Sequence, residues 1–328
     1  MNKMALAIHG GAGTILKSQM TPDLEREYRN GLEAGLMAGW SILTRGGSSL
    51  DAVETAVASL EDFPLFNAGC GSVFTHGGEQ EMDALIMDGA KLKAGAVAFV
   101  KNIKNPVKLA RLVMEQTEHV LLAGEGANRF AEQIGVETKP DEYFFTEHRW
   151  LQLQEALADG RAHLDHSSRE VESRVGESVF SSNNPKSKIQ NPKSLGTVGA
   201  VACDKRGHLA AATSTGGMTN KKFGRVGDTA LIGAGTFADE TCAVSCTGHG
   251  EYFMLGVTAY DVAARMKYKG LSLVEAGRET IERLTEINGE GGLIAVDTQG
   301  NVTLPFNSEG MYRGSVTLDK PMQIQIYK

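Results

Sequence analysis

A threonine placed directly after a glycine, at the mouth of a buried strand, has the makings of a nucleophile, and this chain carries one at position 197. Gly196-Thr197 leads into Val198-Gly199-Ala200-Val201-Ala202, whose small and branched apolar residues mark a buried strand. Upstream, from about residue 160 to 196, the chain is rich in Ser, Asn and Lys and interrupted by Pro185 and Pro192. Such a composition cannot bury enough apolar surface to offset the entropy of ordering it. An exposed tether feeding a buried strand through Gly-Thr suggests a cut at that bond. Thr197 would then be a new N-terminus, with a hydroxyl nucleophile and, in its own amine, an adjacent base. The same stretch also reads as a linker that ends before a strand, and taken alone it favours the linker.

Other reactive groups gather in a narrow window downstream. Thr213-Ser214-Thr215-Gly216-Gly217 puts hydroxyls at the end of a second apolar run. A hairpin of those two runs brings Thr215 within reach of Thr197. Arg225 presents a planar fork suited to a carboxylate, and Asp228, three residues on, can accept from an ammonium. The two charges could grip the two ends of an amino acid, or simply pair with each other on the surface. Ser245-Cys246-Thr247-Gly248-His249-Gly250-Glu251 ends a strand and starts a helix. Its turn offers the Thr247 hydroxyl and free backbone N–H groups, as an oxyanion site requires. No G-x-S-x-G elbow, P-loop or G-x-G-x-x-G fingerprint occurs.

The elements that must position these groups follow from periodicity and punctuation. Ala5 to Ile8 is a buried strand running into His9-Gly10-Gly11-Ala12-Gly13, where His9 is most simply a hydrogen-bonded histidine. Thr21-Pro22 opens a helix to about Leu43, and Ser48 to Asp51 has the form of a capping box for the next one. The loop from Phe63 to Ser72 is too apolar for a surface connector; Asn67 is its one amide, a candidate donor to a ligand or a turn-former. Hairpins are predicted over residues 83–100, 198–213 and 292–304, with helices at 106–115 (capped by Asn105-Pro106), 125–134, 151–157, 251–267 and 273–287 (opened by a Ser272/Glu275 capping box). Strands apolar on both faces need cover on both, which calls for two central sheets flanked by helices.

Composition narrows the partners. At 328 residues the chain can bury a large core, and its net charge of -7 argues against nucleic acid and anionic membranes. Cys70, Cys203, Cys242 and Cys246 show no C-x-x-C spacing, so they read as buried thiols. His163 and His166 lie three apart in the polar tether but lack a third ligand nearby. The apolar run before His9 is too short for a signal peptide, which points to the cytoplasm.

Several motifs in order resemble one family, the plant-type L-asparaginases/isoaspartyl peptidases of the N-terminal-nucleophile (Ntn) hydrolases. They are His9-Gly10-Gly11-Ala12-Gly13, Asn67-Ala68-Gly69, Met87-Asp88-Gly89, Gly196-Thr197-Val198-Gly199, Thr213-Ser214-Thr215-Gly216-Gly217, Gly224-Arg225-Val226-Gly227-Asp228, Thr247-Gly248-His249-Gly250-Glu251 and the stretch from Pro305 to Met311. The resemblance spans effectively the whole chain and raises the cut at Thr197 from the minority reading to the favoured one. It implies one domain with the α+β fold of that superfamily, a four-layer αββα sandwich, cut into 1–196 and 197–328. It further implies Thr197 as nucleophile, Thr215 as its orienting partner and Thr247 with the Gly248 N–H as oxyanion donors. Arg225 would hold the substrate α-carboxylate, Asp228 its α-ammonium, and Gly250 would line the pocket. The substrates implied are small β-aspartyl dipeptides and L-asparagine, with no cofactor for catalysis and a dimer of cleaved units. In the family, main-chain carbonyls along one loop hold a sodium ion, here Leu60, Glu61, Phe63, Phe66, Ala68 and Cys70. Carbonyl ligands leave no side-chain signature, so the residues themselves neither support nor oppose it. Glycosylasparaginase, which shares the fold and the chemistry, and a non-catalytic amino-acid-binding protein are the competing readings.

Overall fold

The computed structural model describes residues 4–158 and 196–328; the polar tether up to Ser194 and the His163/His166 pair lie outside them. In chain order the strands are β1 (Ala5–Gly13), β2 (Met82–Asp88), β3 (Lys93–Val100), β4 (Leu121–Ala123), β5 (Val198–Cys203) and β6 (Leu209–Thr215). They continue as β7 (Thr236–Ala238), β8 (Cys242–Gly248), β9 (Gly291–Asp297), β10 (Val302–Thr303), β11 (Gly310–Thr317) and β12 (Gln323–Tyr327). The helices are α1 (Pro22–Thr44), α2 (Ser49–Glu61), α3 (Pro106–Gln116), α4 (Gly124–Gln133), α5 (Asp141–Phe144), α6 (Glu147–Ala158), α7 (Gly250–Gly256), α8 (Thr258–Lys269) and α9 (Leu273–Glu286).

Alternation along the strands produces the layers. On β1, Leu6 and Ile8 join a core shared with α1, α2 and α3, while Ala5 and Ala7 face a second core shared with the other sheet. Ala212 and Ala211 on β6, and Ile86 and Met87 on β2, divide in the same way. The second core is closed on its far side by α8 and α9 through Val262, Ala263, Ile281 and Leu284. The result is the expected αββα sandwich. One sheet has strand order β12-β11-β1-β5-β6-β2-β3-β4 and the other β10-β9-β8-β7. In the larger sheet β1 lies between β11 and β5, so a strand from before the Gly196–Thr197 junction is flanked by two from after it.

Local signals fall largely where expected. Thr21 and Ser48 cap α1 and α2 by accepting from Leu24 N and Asp51 N, and Ser272 with Glu275 forms a complete capping box on α9. Asn105 precedes Pro106 at the start of α3 without capping it; its amide donates instead to Asp62 Oδ1 at 3.0 Å. The helix expected over 251–267 is two helices, broken at Val257, which takes the left-handed region at φ 48°. No helix is long and apolar enough to cross a membrane among the described residues.

The loop after α2 is pinned by a buried cation that its own sequence gives no hint of. Arg149 of α6 is almost fully buried; its Nε donates to the Gly71 carbonyl at 2.7 Å, its Nη2 reaches the Leu65 carbonyl at 3.5 Å and its Nη1 meets Gln152 Oε1 at 3.1 Å. Arg149→Met is therefore expected to leave these carbonyls short of donors. The loss should be about 1–3 kcal/mol for each group orphaned, measurable by urea unfolding.

Candidate active site

Thr197 stands immediately before β5, and Thr215 is the last residue of β6. The register of that hairpin, Val198 opposite Ser214, carries the two threonines together. Thr197 Oγ1 donates to Thr215 Oγ1 at 3.1 Å, and Thr215 Oγ1 also accepts from Gly217 N at 3.0 Å. Thr197 keeps 8 % of its surface exposed, enough to be touched from a small cavity lined by Thr197, Thr215, Met218, Arg225, Asp228 and Gly248. The hairpin argument from sequence thus places the nucleophile candidate and its partner as predicted.

Arg225 and Asp228 share the cavity without pairing. Arg225 Nε and Nη2 donate to the two carboxylate oxygens of Glu251, both at 2.9 Å, in a bidentate fork. Asp228 is buried, and its Oδ2 has no hydrogen-bond partner among the described residues. Burial pushes the Asp228 carboxyl up to about 7, with the Arg225 charge opposing the rise. At Glu251 burial acts upward as well, but the hydrogen bonds and charge of Arg225 outweigh it and hold that carboxyl below its ordinary value. Gly250 lies against both charged groups. A Cβ there would sit 2.7 Å from Asp228 Oδ1 and 2.9 Å from Arg225 Nη2, so only glycine leaves them room.

Thr247 and Gly248 close β8 and face β9 across the pairs Thr247–Gly292 and Gly248–Gly291. The Thr247 hydroxyl is buried and, like Asp228 Oδ2, lacks a partner among the described residues. A buried hydroxyl without a partner is costly, and so is a buried carboxylate oxygen. A ligand bearing an oxygen for one and an ammonium for the other would relieve both.

Asn67 is placed differently from a ligand donor. It is fully buried, its amide donates to the Gly217 carbonyl at 2.7 Å, and its carbonyl accepts from Val73 N at 3.0 Å. It braces the Gly216-Gly217 turn behind Thr215 and does not line the cavity. The loop before it curls tightly. A Cβ on Gly69 would lie 2.2 Å from the Glu61 carbonyl and one on Gly71 2.1 Å from the Phe66 carbonyl. The carbonyls of Glu61, Pro64 and Phe66 are thus crowded against the glycines of one small loop, and neutral oxygens of this kind are the donors that hard cations take. No cluster of His, Cys, Asp or Glu suited to a metal occurs among the described residues, and the four cysteines are buried with no disulfide between them.

Two residues at the site had no assigned role from sequence, where Lys221-Lys222-Phe223 reads only as a stretch before Arg225 that could alter cleavage rate or access. Glu251 entered only as part of a motif, although acid three residues after the Thr247-Gly248 turn and a guanidinium upstream are a findable pair. Lys221 is buried with its ammonium donating to the Glu81 carbonyl at 2.8 Å, beside the Gly217 turn, and burial lowers its pKa. Nothing in the local sequence sets it apart from Lys222.

The asparaginase family matches residues 2–326. The chain is similar to an isoaspartyl peptidase of Salmonella typhimurium, 51 % identical over 315 residues that cover 95 % of each chain. It is 49 % identical to a putative isoaspartyl peptidase/L-asparaginase of Dictyostelium discoideum, over 97 % of this chain and 95 % of that one. A plant-type L-asparaginase of Pyrococcus abyssi is 43 % identical, over 94 % of both. Likeness of this extent takes in both sheets and both sides of the Gly196–Thr197 junction, and the chain belongs to the asparaginase family, among whose members are isoaspartyl peptidases and plant-type L-asparaginases.

Proposed function

We propose that this protein is an N-terminal-threonine amidohydrolase that cuts its own chain before Thr197 and then hydrolyses β-aspartyl dipeptides and L-asparagine to release L-aspartate. The observation that carries the reading is the 3.1 Å Thr197–Thr215 hydroxyl contact in a cavity shared with Arg225 and with Asp228, whose buried Oδ2 lacks a partner among the described residues. In the first stage the Thr197 hydroxyl adds to the Gly196 carbonyl, the peptide nitrogen leaves as the free amine, and water hydrolyses the resulting ester. The pieces are 1–196 and 197–328. In the second stage the Thr197 amine takes the hydroxyl proton while Oγ1 attacks the substrate's side-chain carbonyl. The oxyanion accepts from the Thr247 hydroxyl and the Gly248 N–H. The leaving amine takes the proton as it departs, and water then hydrolyses the acyl-threonine.

Arg225 holds the substrate α-carboxylate, Asp228 its α-ammonium, and Gly250 packs against the same end. Glu251 occupies the Nε–Nη2 edge of Arg225, so a substrate carboxylate taking that edge displaces one carboxylate with another. Glu251→Gln weakens the occupant, so KM for β-aspartyl-leucine should fall several-fold in steady-state assays. Asn67 supports the turn behind Thr215 without touching substrate. The carbonyls of Leu60, Glu61, Phe63, Phe66, Ala68 and Cys70 would hold a sodium ion that stiffens this support and takes no part in the chemistry. The family resemblance supports a dimer of cut units as the working form.

Acid pH should act on two groups at once. The Asp228 carboxyl, raised to about 7, must be ionised to bind an ammonium, and the Thr197 amine must be neutral to act as a base. The fall of log kcat/KM on the acid side should therefore be steeper than a single ionisation. In kcat, where bound substrate keeps Asp228 ionised, one ionisation should remain; a pH series of initial rates checks both.

The direct test is incubation of the purified protein with β-aspartyl-leucine and with L-asparagine, after intact-mass measurement of its cleavage. Leucine, or ammonia, with equimolar aspartate is expected from cut protein. An intact chain that binds an amino acid and releases nothing would select a binding protein instead.

A further inference from the structure

Behind Thr197, on the side away from the cavity, a line of polar side chains crosses the space between the two sheets. His9 on β1, Thr213 on β6, Thr236 on β7 and Ser245 on β8 are all fully buried. His9 Nδ1 lies 3.0 Å from the Thr197 carbonyl and His9 Nε2 lies 2.8 Å from Ser245 Oγ. Ser245 Oγ is 2.7 Å from Thr213 Oγ1, which is 2.6 Å from Thr236 Oγ1. The surroundings are apolar, built from residues such as Val201, Ala211, Val244 and Leu293. An apolar line of the same volume would fill this space at no greater cost, so the polar line calls for a reason.

Proton counting gives it a single direction. A carbonyl only accepts, so Nδ1 must carry the ring hydrogen. Burial pushes the imidazolium down to about 3, so the ring is neutral and Nε2 is bare. Ser245 must then donate to Nε2, and Thr213 to Ser245. Thr236 donates to Thr213, its contact with the Thr229 carbonyl being the longer one at 3.2 Å. Each hydroxyl has one proton and each is used once. Gly199, two residues after the nucleophile, makes room for the crossing. A Cβ there would lie 2.0 Å from Ser245 Oγ and 2.4 Å from His9 Nε2.

We infer that His9 is a positioning residue for the nucleophile: its Nδ1–H holds the Thr197 carbonyl, setting where the hydroxyl and amine of that residue stand, while the hydroxyl line Thr236–Thr213–Ser245 supplies a donor to its bare Nε2 and anchors the ring. The inference rests on the threonine chemistry proposed above. An N-terminal residue freed on one side has only its carbonyl, its side chain and the strand beyond to orient it. A clamp on that carbonyl replaces the restraint lost with the Gly196 bond. Misplacement by an ångström is enough to cost about a hundredfold in rate.

The two halves of the ring can be tested apart. In His9→Asn the amide nitrogen can stand near Nδ1 and still donate to the Thr197 carbonyl, while the contact to Ser245 is lost. In His9→Gln the side chain reaches toward Ser245 and the donor to the carbonyl is lost. Rates are to be taken per cut chain, quantified by intact mass, alongside thermal unfolding. His9→Gln should lose about ten- to a hundredfold in kcat with KM within about twofold, and His9→Asn should lose far less at similar thermal stability. Equal losses in the two variants, losses that track unfolding temperature, or a loss carried by KM would overturn the inference.

Nitrogen-15 spectra of histidine-labelled wild type read the tautomer without any assay. Nδ1 should be protonated and Nε2 bare from about pH 5 to 8; Ser245→Ala should shift the Nε2 signal toward that of an unbonded ring nitrogen while Nδ1 keeps its hydrogen on the Thr197 carbonyl. A protonated Nε2 in wild type ends the inference whatever the activity. Wild type with the expected tautomer that hydrolyses neither substrate would instead overturn the enzymatic reading.

Discussion

Thr197→Ala is expected to yield one uncut polypeptide that hydrolyses neither β-aspartyl-leucine nor L-asparagine. Both losses come from the same missing oxygen. Without it no ester forms at Gly196, so the amine that should act as base stays in a peptide bond. Without it, too, nothing remains at the strand mouth to attack an amide. Thr215 does not substitute, because its hydroxyl already accepts from Thr197 and from Gly217 N and carries no adjacent amine. The fold should be indifferent to the change, since Thr197 contributes little apolar surface and β5 begins one residue later. A denaturing gel and a mass spectrum distinguish the outcomes. Two bands from the alanine protein would remove Thr197 from the cleavage step, and hydrolysis by it would remove Thr197 from catalysis.

Asp228→Asn should cut kcat/KM on the order of a hundred- to a thousandfold while making the protein more stable. The amide keeps the shape but cannot balance an ammonium inside a buried site, and truncating one side of such a pair costs several kcal/mol. The stability change runs the other way. The folded protein raises this carboxyl from 3.8 to about 7, so its contribution is full below 3.8 and lost as pH climbs through 7. Asparagine never ionises and keeps what the aspartate loses. Unfolding temperatures of variant and wild type should therefore coincide near pH 4 and separate by several degrees at pH 8, the variant higher. A variant equal to wild type at pH 8 would show that the carboxylate is solvated in a way its burial does not allow. The combination of slower turnover and a firmer fold is what a charge kept for function predicts.

Much of the architecture was legible from residue pattern because it is local. The β5–β6 hairpin, the β2–β3 hairpin and the Ser272/Glu275 box each depend on a few adjacent residues, and each stands where the pattern puts it. Strands β7, β11 and β12 were not assigned. Each is short or diluted by polar residues, as Arg313 and Ser315 dilute β11, and its pairing is decided by distant partners such as β1. The break at Val257 was also unreadable, since a β-branched residue in the left-handed region runs against local preference. The same division holds at the site. Thr197 and Thr215 meet because of one turn. Arg225 meets Glu251 across 26 residues, Asn67 meets Gly217 across 150 and His9 meets Ser245 across 236, and no periodicity announces such contacts.

The strand order has a mechanical corollary for the proposed cut before Thr197. Of the eight strands in the larger sheet, β1 to β4 belong to the leading fragment and β5, β6, β11 and β12 to the trailing one, and they alternate rather than segregate. Pulling the fragments apart would mean drawing β1 out from between β11 and β5 and parting β2 from β6, unzipping three ladders at once. Severing one covalent bond should therefore leave dissociation no easier than global unfolding. The fragments should travel together through dilution and salt, part only in denaturant, and do so in a single cooperative step.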